Sequence, residues 1–255
     1  MARNFENSCY ALFLPAFLTN TTYHMKRNNL ILLLVFAVTG TFAQNVQLHY
    51  DFGKDRQYPT TTVEMFRPDK WGSTFFFVDM DYNANDVKGV SMAYWEIARA
   101  INLGKTPLAF HAEYNGGFGQ SMPGGAYQIN DAWLGGVDYV WNKSDFSRGF
   151  TFQVLYKYIR DKHDAAFQLT GVWYMHFLNK KMTFSGFADF WREDNQFKND
   201  DESEDKTKFI ILSEPQLWYN FTENISLGTE LELSNNFGLN KGFAVNPTLA
   251  AKWTF

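Results

Sequence analysis

Downstream of residue 44, apolar and polar side chains alternate with a period of two over segments of about ten residues, separated by Gly, Asn, Asp and Lys turns. A period of two puts successive side chains on opposite faces of a strand. In Ile225 to Ser234 one face reads Ile225, Leu227, Thr229, Leu231 and Leu233, and the other reads Ser226, Gly228, Glu230, Glu232 and Ser234. Aliphatics on one side and carboxylates on the other place the two faces in different solvents. Phe150, Phe152, Val154, Tyr156 and Tyr158 likewise oppose Thr151, Gln153 and Lys157, and Phe167, Leu169, Gly171, Trp173, Met175 and Phe177 oppose Gln168, Thr170, Tyr174 and His176. The pattern predicts twelve strands, at 46–52, 59–66, 71–82, 90–101, 108–115, 128–141, 148–159, 165–177, 182–192, 208–220, 225–234 and 243–255.

A secreted β-sandwich also alternates, but its strands average about five or six residues and lack aromatics at both ends of the apolar face. Membrane-crossing strands run about 9–11 residues and carry aromatic girdles at both interfaces. Phe150 and Tyr158, Phe167 and Phe177, and Trp133 and Trp141 stand at the two ends of their strands. The fold class predicted is therefore all-β, a closed antiparallel transmembrane barrel of about 12 strands, with both termini at one end. Its odd-numbered connections should be the long outer loops: the fifth runs through Gly116 to Ala126 and the ninth is the charged stretch Glu193 to Thr207, while the eighth is a tight Asn179, Lys180, Lys181 turn.

Composition narrows the setting. The 255 residues are 45% hydrophobic and 18% aromatic with net charge -4, and Cys9 is the sole cysteine, which leaves neither a disulfide framework nor a thiolate metal site. A mean hydropathy of -0.33 excludes a polytopic helical membrane protein, and no basic stripe supports nucleic-acid binding. The longest apolar run, Leu30 to Val38, is too short for a membrane-spanning helix of roughly 20 residues. Met25, Lys26 and Arg27 precede it and Thr39, Gly40, Thr41, Phe42 and Ala43 follow, the layout of a signal peptide over 25–43 with cleavage after Ala43. Residues 1–24 then read as a spurious upstream extension. Removing both takes away Arg3, Lys26, Arg27 and Glu6, so 23 basic and 27 acidic residues become 20 and 26 in a barrel chain of 44–255.

Strands can cross a hydrocarbon layer only as a closed sheet, so chemistry belongs on the inward face. Over Trp71 to Tyr82 the inward set is Ser73, Phe75, Phe77, Asp79 and Asp81, and the lipid set is Thr74, Phe76, Val78, Met80 and Tyr82. Glu64, Glu96, Glu113, Asp138, Asp189, Glu230 and Glu232 also belong inside, because a charge facing lipid at mid-depth is costly. Arg99 falls on the face opposite Glu96 and belongs near an interface. The last strand alternates Phe243, Val245, Pro247, Leu249, Ala251, Trp253 and Phe255 with Ala244, Asn246, Thr248, Ala250, Lys252 and Thr254.

Three segments, Thr62-Val63-Glu64-Met65-Phe66, Trp71-Gly72-Ser73-Thr74-Phe75-Phe76-Phe77-Val78-Asp79 and Trp95-Glu96-Ile97, together with the aromatic last strand, resemble the Tsx-type, nucleoside-specific channel-forming proteins of the outer membrane and an uncharacterised group related to them. The likeness is specific over 59–101 and architectural beyond. The family's second acidic position after the Glu96-like one is here Ala98 or Arg99. The resemblance implies a narrow channel of the Gram-negative cell outer membrane for small solutes, nucleosides among them. Phe75 and Phe77 would stack on the solute, with Glu64, Asp79 and Glu96 as polar contacts. The same side chains equally suit a lumen that is simply filled. The ending with Trp253 and Phe255 resembles the sorting signal read by the barrel-assembly machinery, and outer-membrane lipid and a small-molecule solute are the other partners implied.

Catalysis has little support. Lipid-hydrolysing barrels pair His with Ser two residues on, and none of His24, His49, His111, His163 and His176 has one. His111 and Glu113 share a face, a pair that orients a base or simply forms a lumen hydrogen bond. No phosphate loop or His-Glu-x-x-His motif is present, so no cofactor or metal is expected. The run Asp200, Asp201, Glu202, Glu204, Asp205 lacks calcium-loop spacing and reads as a solvated outer loop. The alternatives to a channel are a non-conducting structural or ligand-binding barrel and a secreted soluble β-sandwich.

Overall fold

The computed structural model describes residues 43–255 except 55, 85, 123, 163–165, 199–203 and 239. The expected upstream extension, the signal peptide before Ala43, His163, and Asp200, Asp201 and Glu202 lie outside the described residues.

The strands in chain order are β1 (Ala43–Asp51), β2 (Pro59–Asp69), β3 (Gly72–Tyr82), β4 (Val90–Asn102), β5 (Leu108–Ser121), β6 (Gly125–Asn142), β7 (Arg148–Ile159), β8 (Ala166–Phe177), β9 (Met182–Lys198), β10 (Glu204–Ser213), β11 (Gln216–Asn220), β12 (Ile225–Asn235) and β13 (Phe243–Thr254). Pairing is antiparallel throughout, and β1 pairs with β13 from Asn45 opposite Thr254 to Asp51 opposite Thr248, so the sheet closes on itself. β10 and β11 are one crossing, since each pairs with β9 on one side and β12 on the other. The molecule is thus a closed twelve-stranded antiparallel barrel. Closure leaves no free sheet edge, which rules out the sandwich.

The interruption between β10 and β11 falls at Glu214 and Pro215, where proline has no N–H to give to the ladder. Opposite it stands Gly186 at φ 150°, whose missing side chain makes room: a Cβ there would lie 2.4 Å from the Glu214 carbonyl oxygen. Leu231 N–H and Glu214 N–H still find carbonyls across the break, on Pro215 and Phe187.

Burial follows the alternation with the usual sense reversed. Outward residues are exposed, Leu48 at 55%, Val154 at 52% and Leu249 at 62%, while inward polar residues such as Gln47 at 1% and Glu232 at 6% are buried. Covering one such aliphatic side chain is worth about 1.5–3 kcal/mol. A ring of them left bare around every strand is stable only where hydrocarbon replaces water. Trp133, Trp141, Tyr156, Tyr158, Trp253 and Phe255 are exposed on this outer face, and the Trp253 and Phe255 rings lie 4.4 Å apart at the chain end.

Two expected loops are instead paired backbone. β5 and β6 extend through most of Gly116 to Ala126, leaving 122–124 as the connection, and β9 and β10 take up most of Glu193 to Thr207. Glycine runs read as loop, but here Tyr127 lies over Gly119, filling the space its side chain lacks. Leu178, Asn179 and Lys180, at φ 51°, 54° and 63°, form the expected tight turn.

Candidate functional site

Strand register, which no single strand reveals, assembles the lumen wall. Asn45, Glu64, Phe77, Glu96 and Asn115 form one row across β1 to β5. Gln47, Thr62, Asp79, Tyr94 and Gly117 form the row above it, and Phe66, Phe75, Ala98 and Glu113 continue the row below. Phe77 therefore stands between two carboxylates.

Three aromatic rings climb this wall. Phe75 and Phe77 are 6.0 Å apart, and Phe77 and Tyr94 are again 6.0 Å apart, each pair tilted. The acids beside them are held by neutral donors: Asn45 Nδ2 donates to Glu64 at 2.9 Å, Thr62 Oγ1 to Asp79 at 2.5 Å and the Tyr94 hydroxyl to Glu96 at 2.7 Å. A ladder of rings flanked by hydrogen-bonding groups offers a flat solute stacking on one side and polar contacts at its edges.

Of the residues singled out in the sequence, Glu64, Phe75, Phe77, Asp79 and Glu96 come together here. Glu113, one row below Glu96, joins this wall to a second cluster around His111. There the two ring nitrogens of His111 lie 3.0 Å from Asp138 and 3.0 Å from Glu113, with the Gln153 amide 3.2 Å away. A carboxylate at each nitrogen matches an imidazole donating from both sides. The Oδ1 of Asp138 is buried with no partner. Among the described residues no group of His, Cys, Asp or Glu is arranged to hold a metal ion. Arg99, expected near an interface, lies on the outer face beside the β2–β3 turn, donating to Asp69 at 2.7 Å and Thr74 at 3.0 Å.

Sequence reasoning missed four lumen groups. Tyr94 completes the ladder; it lies two residues before Glu96 on the same face, so alternation alone was enough to find it. Lys157 donates to Gln168 at 2.8 Å and stands 4.3 Å from the Trp191 ring, and Lys252 stands 3.9 Å from the Trp218 ring. Arg56, from the loop between β1 and β2, reaches into the mouth, bonding Asp51 at 3.0 Å and Glu232 at 2.7 Å. Burial opposes the charge of Arg56, but the Glu232 and Asp51 carboxylates outweigh it and hold its pKa above the ordinary value. Elsewhere the interior is filled: Trp218 is fully buried, and Ala132, Leu134, Leu155 and Ile159 pack together on the inner face of β6 and β7.

Residues 43–255 match the family described as a domain of unknown function, DUF5020. The chain belongs to this family. No curated relative matches it. Among solved structures it is similar to the NanC porin, at TM-score 0.55 and 14% identity over 84% of this chain and 100% of that one. It is also similar to LpxR from Salmonella typhimurium, at TM-score 0.46 and 10% identity over 83% and 100%, and to the Acinetobacter baumannii outer membrane protein Omp33, at 0.40 and 15% over 84% and 97%. The likeness to the NanC porin, at this identity, is one of fold: this DUF5020 member has the architecture of an outer-membrane barrel.

Proposed function

We propose that this DUF5020 barrel resides in the Gram-negative outer membrane and is a narrow channel through which small polar solutes, nucleosides among them, diffuse passively. The observation that carries the reading is the Phe75, Phe77, Tyr94 ladder flanked by Glu64, Asp79 and Glu96 on the lumen wall. A base stacks on each ring in turn, and the edge groups exchange hydrogen bonds with ribose and base as it moves. Contacts of this kind are weak enough to release the solute, as conduction requires. The reading involves no catalytic step and no cofactor. In it, Trp253 and Phe255 are the groups that the barrel-assembly machinery reads.

The test is solute flux into liposomes. Phe75→Ala should raise the nucleoside concentration for half-maximal flux about tenfold, the order expected for loss of one stacking surface, and Asp79→Asn should also lower nucleoside flux. Neither should alter flux of a sugar of similar size. Equal losses for both solutes would remove the nucleoside assignment.

One observation favours a second reading, a non-conducting barrel. Trp218 at 0% exposure, with Leu155 and Ile210 at 1%, shows parts of the lumen packed like a protein core. Absence of any flux from correctly folded protein would establish it over the channel.

A further inference from the structure

Two of the grooves on the outer face lie toward the end where β1 begins and β13 finishes, and they differ in the state of their arginine. One, of about 260 Å³, runs between Ile97, Ala112, Tyr114 and Trp133, and its arginine, Arg99, is neutralised by Asp69. The other, of about 320 Å³, runs between Trp141, Phe150, Trp173, Met175 and Phe184, and its arginine, Arg148, has no carboxylate partner among the described residues. Asp145, the acid nearest in sequence, is engaged by Lys143 at 2.7 Å and by the Ser147 hydroxyl at 2.7 Å. The indole N–H of Trp173 is shielded from water and meets no acceptor.

An unpaired guanidinium at the mouth of an aromatic groove, on a face bathed in hydrocarbon, is a mismatch unless an anion with an apolar tail completes it. We infer that this groove binds one phospholipid of the periplasmic leaflet, its phosphodiester on Arg148 and an acyl chain along Trp141, Phe150, Trp173 and Phe184. Arginine suits this role because its planar fork donates two hydrogen bonds to a phosphate. The Trp173 ring, two residue pairs deeper than Arg148 in the β7–β8 ladder, lines the path of the acyl chain, and turning the indole would offer its unpaired N–H to a glycerol-ester carbonyl. The occupant is a phospholipid because the short turns between β2 and β3, β4 and β5, β6 and β7, and β8 and β9 mark this end as periplasmic. The inference needs the membrane setting but not conduction.

Native mass spectrometry of the barrel released from detergent, after titration with phosphatidylglycerol, tests it. The wild type should retain one tightly held phosphatidylglycerol, which diacylglycerol and glycerol phosphate fail to displace. Arg148→Gln should weaken retention about tenfold, as loss of a charge-assisted bidentate contact does, and Trp173→Phe should weaken it less. Arg99→Gln should leave it unchanged, and Arg148→Gln should leave solute flux unchanged. Wild-type retention in Arg148→Gln would overturn the inference, as would equal loss in Arg99→Gln. Displacement by glycerol phosphate would reduce the site to a phosphate site, and preferential retention of lipopolysaccharide would place the other leaflet there; either result also overturns it. Heat-modified mobility on gels confirms that each variant is folded, and flux through the same preparations separates this outcome from that of the channel.

Discussion

At the scale of single residues, the lumen is governed by which charges have partners. Arg56 bridges Asp51 on β1 and Glu232 on β12, and Asn246 and Ser234 add bonds to the same Glu232 carboxylate, so one guanidinium ties the first outer loop across the mouth. Because its pKa is raised, its contribution is fully present at every pH below the ordinary arginine value and is lost only on strong alkalinisation, so alkaline shifts within the neutral range should not open this latch. Arg56→Gln strands two buried carboxylates. Removing one partner of a fully buried pair costs about 3–5 kcal/mol; with a quarter of the Arg56 side chain exposed, about 2 kcal/mol is expected. Urea unfolding in detergent measures that loss, and single-channel recording should show a larger conductance than wild type as the loop swings free. An unchanged conductance would mean that the loop does not obstruct the mouth. Nothing in the sequence marked Arg56, because an arginine in a polar turn reads as solvated, and its partner Glu232 lies 176 residues away. Glu64, Phe77 and Glu96 were legible as inward residues, since alternation fixes the face of a strand. That they share one row was not, because register is a property of pairs.

At the scale of the strand, the alternating pattern specified nearly every element, since a one-residue slip would turn carboxylates toward lipid and aromatics into the lumen. The places where the pattern misled are those where backbone, not side chain, decides. The glycine-rich Gly116 to Gly119 stretch stays in the sheet because Tyr114 and Tyr127 cover it. At Pro215 the pattern held: the strand expected over 208–220 is a single crossing, because Gly186 opposite lets the backbones approach. This pairing makes a sharp prediction. Gly186→Val puts a branched side chain where even a Cβ would lie 2.4 Å from the Glu214 oxygen, and should destabilise the barrel by at least about 2 kcal/mol or prevent closure between β9 and β11. Gly135→Ala is the control, because its nearest neighbour would be 3.9 Å away on an open outer face. Heat-modified gel mobility distinguishes them: the first variant should run unfolded at a temperature where the second and the wild type still run compact. If both behave as wild type, the break at Pro215 is more compliant than the close approach implies.

At the scale of the whole molecule, the barrel separates an apolar, aromatic exterior with few charges from an interior with an excess of acids. Glu64, Asp79, Asp81, Glu96, Glu113, Asp138, Asp189, Glu230 and Glu232 face inward from the strands, against Lys157 and Lys252, and Arg56 adds one more cation at the mouth. The two lysines are further engaged by Trp191 and Trp218, so they stand against the wall rather than in the path. Where these acids are ionised, a lumen lined with one sign of charge between low-dielectric walls concentrates counter-ions. If the channel conducts, its reversal potential in a potassium chloride gradient should therefore have the sign of cation preference, with potassium at least about threefold more permeant than chloride near 0.1 M, where screening extends only about 10 Å. Raising the salt to about 1 M shortens that range to about 3 Å and should flatten the preference. The same field discriminates among solutes. A nucleoside is uncharged and meets only the rings and hydrogen-bonding edges, whereas its monophosphate must pass the acids and should cross far more slowly at low salt, recovering as salt rises. Anion preference, or equal flux of nucleoside and nucleotide at low salt, would mean that the carboxylates are sequestered from the path, and the ring ladder would then have to account for selectivity alone.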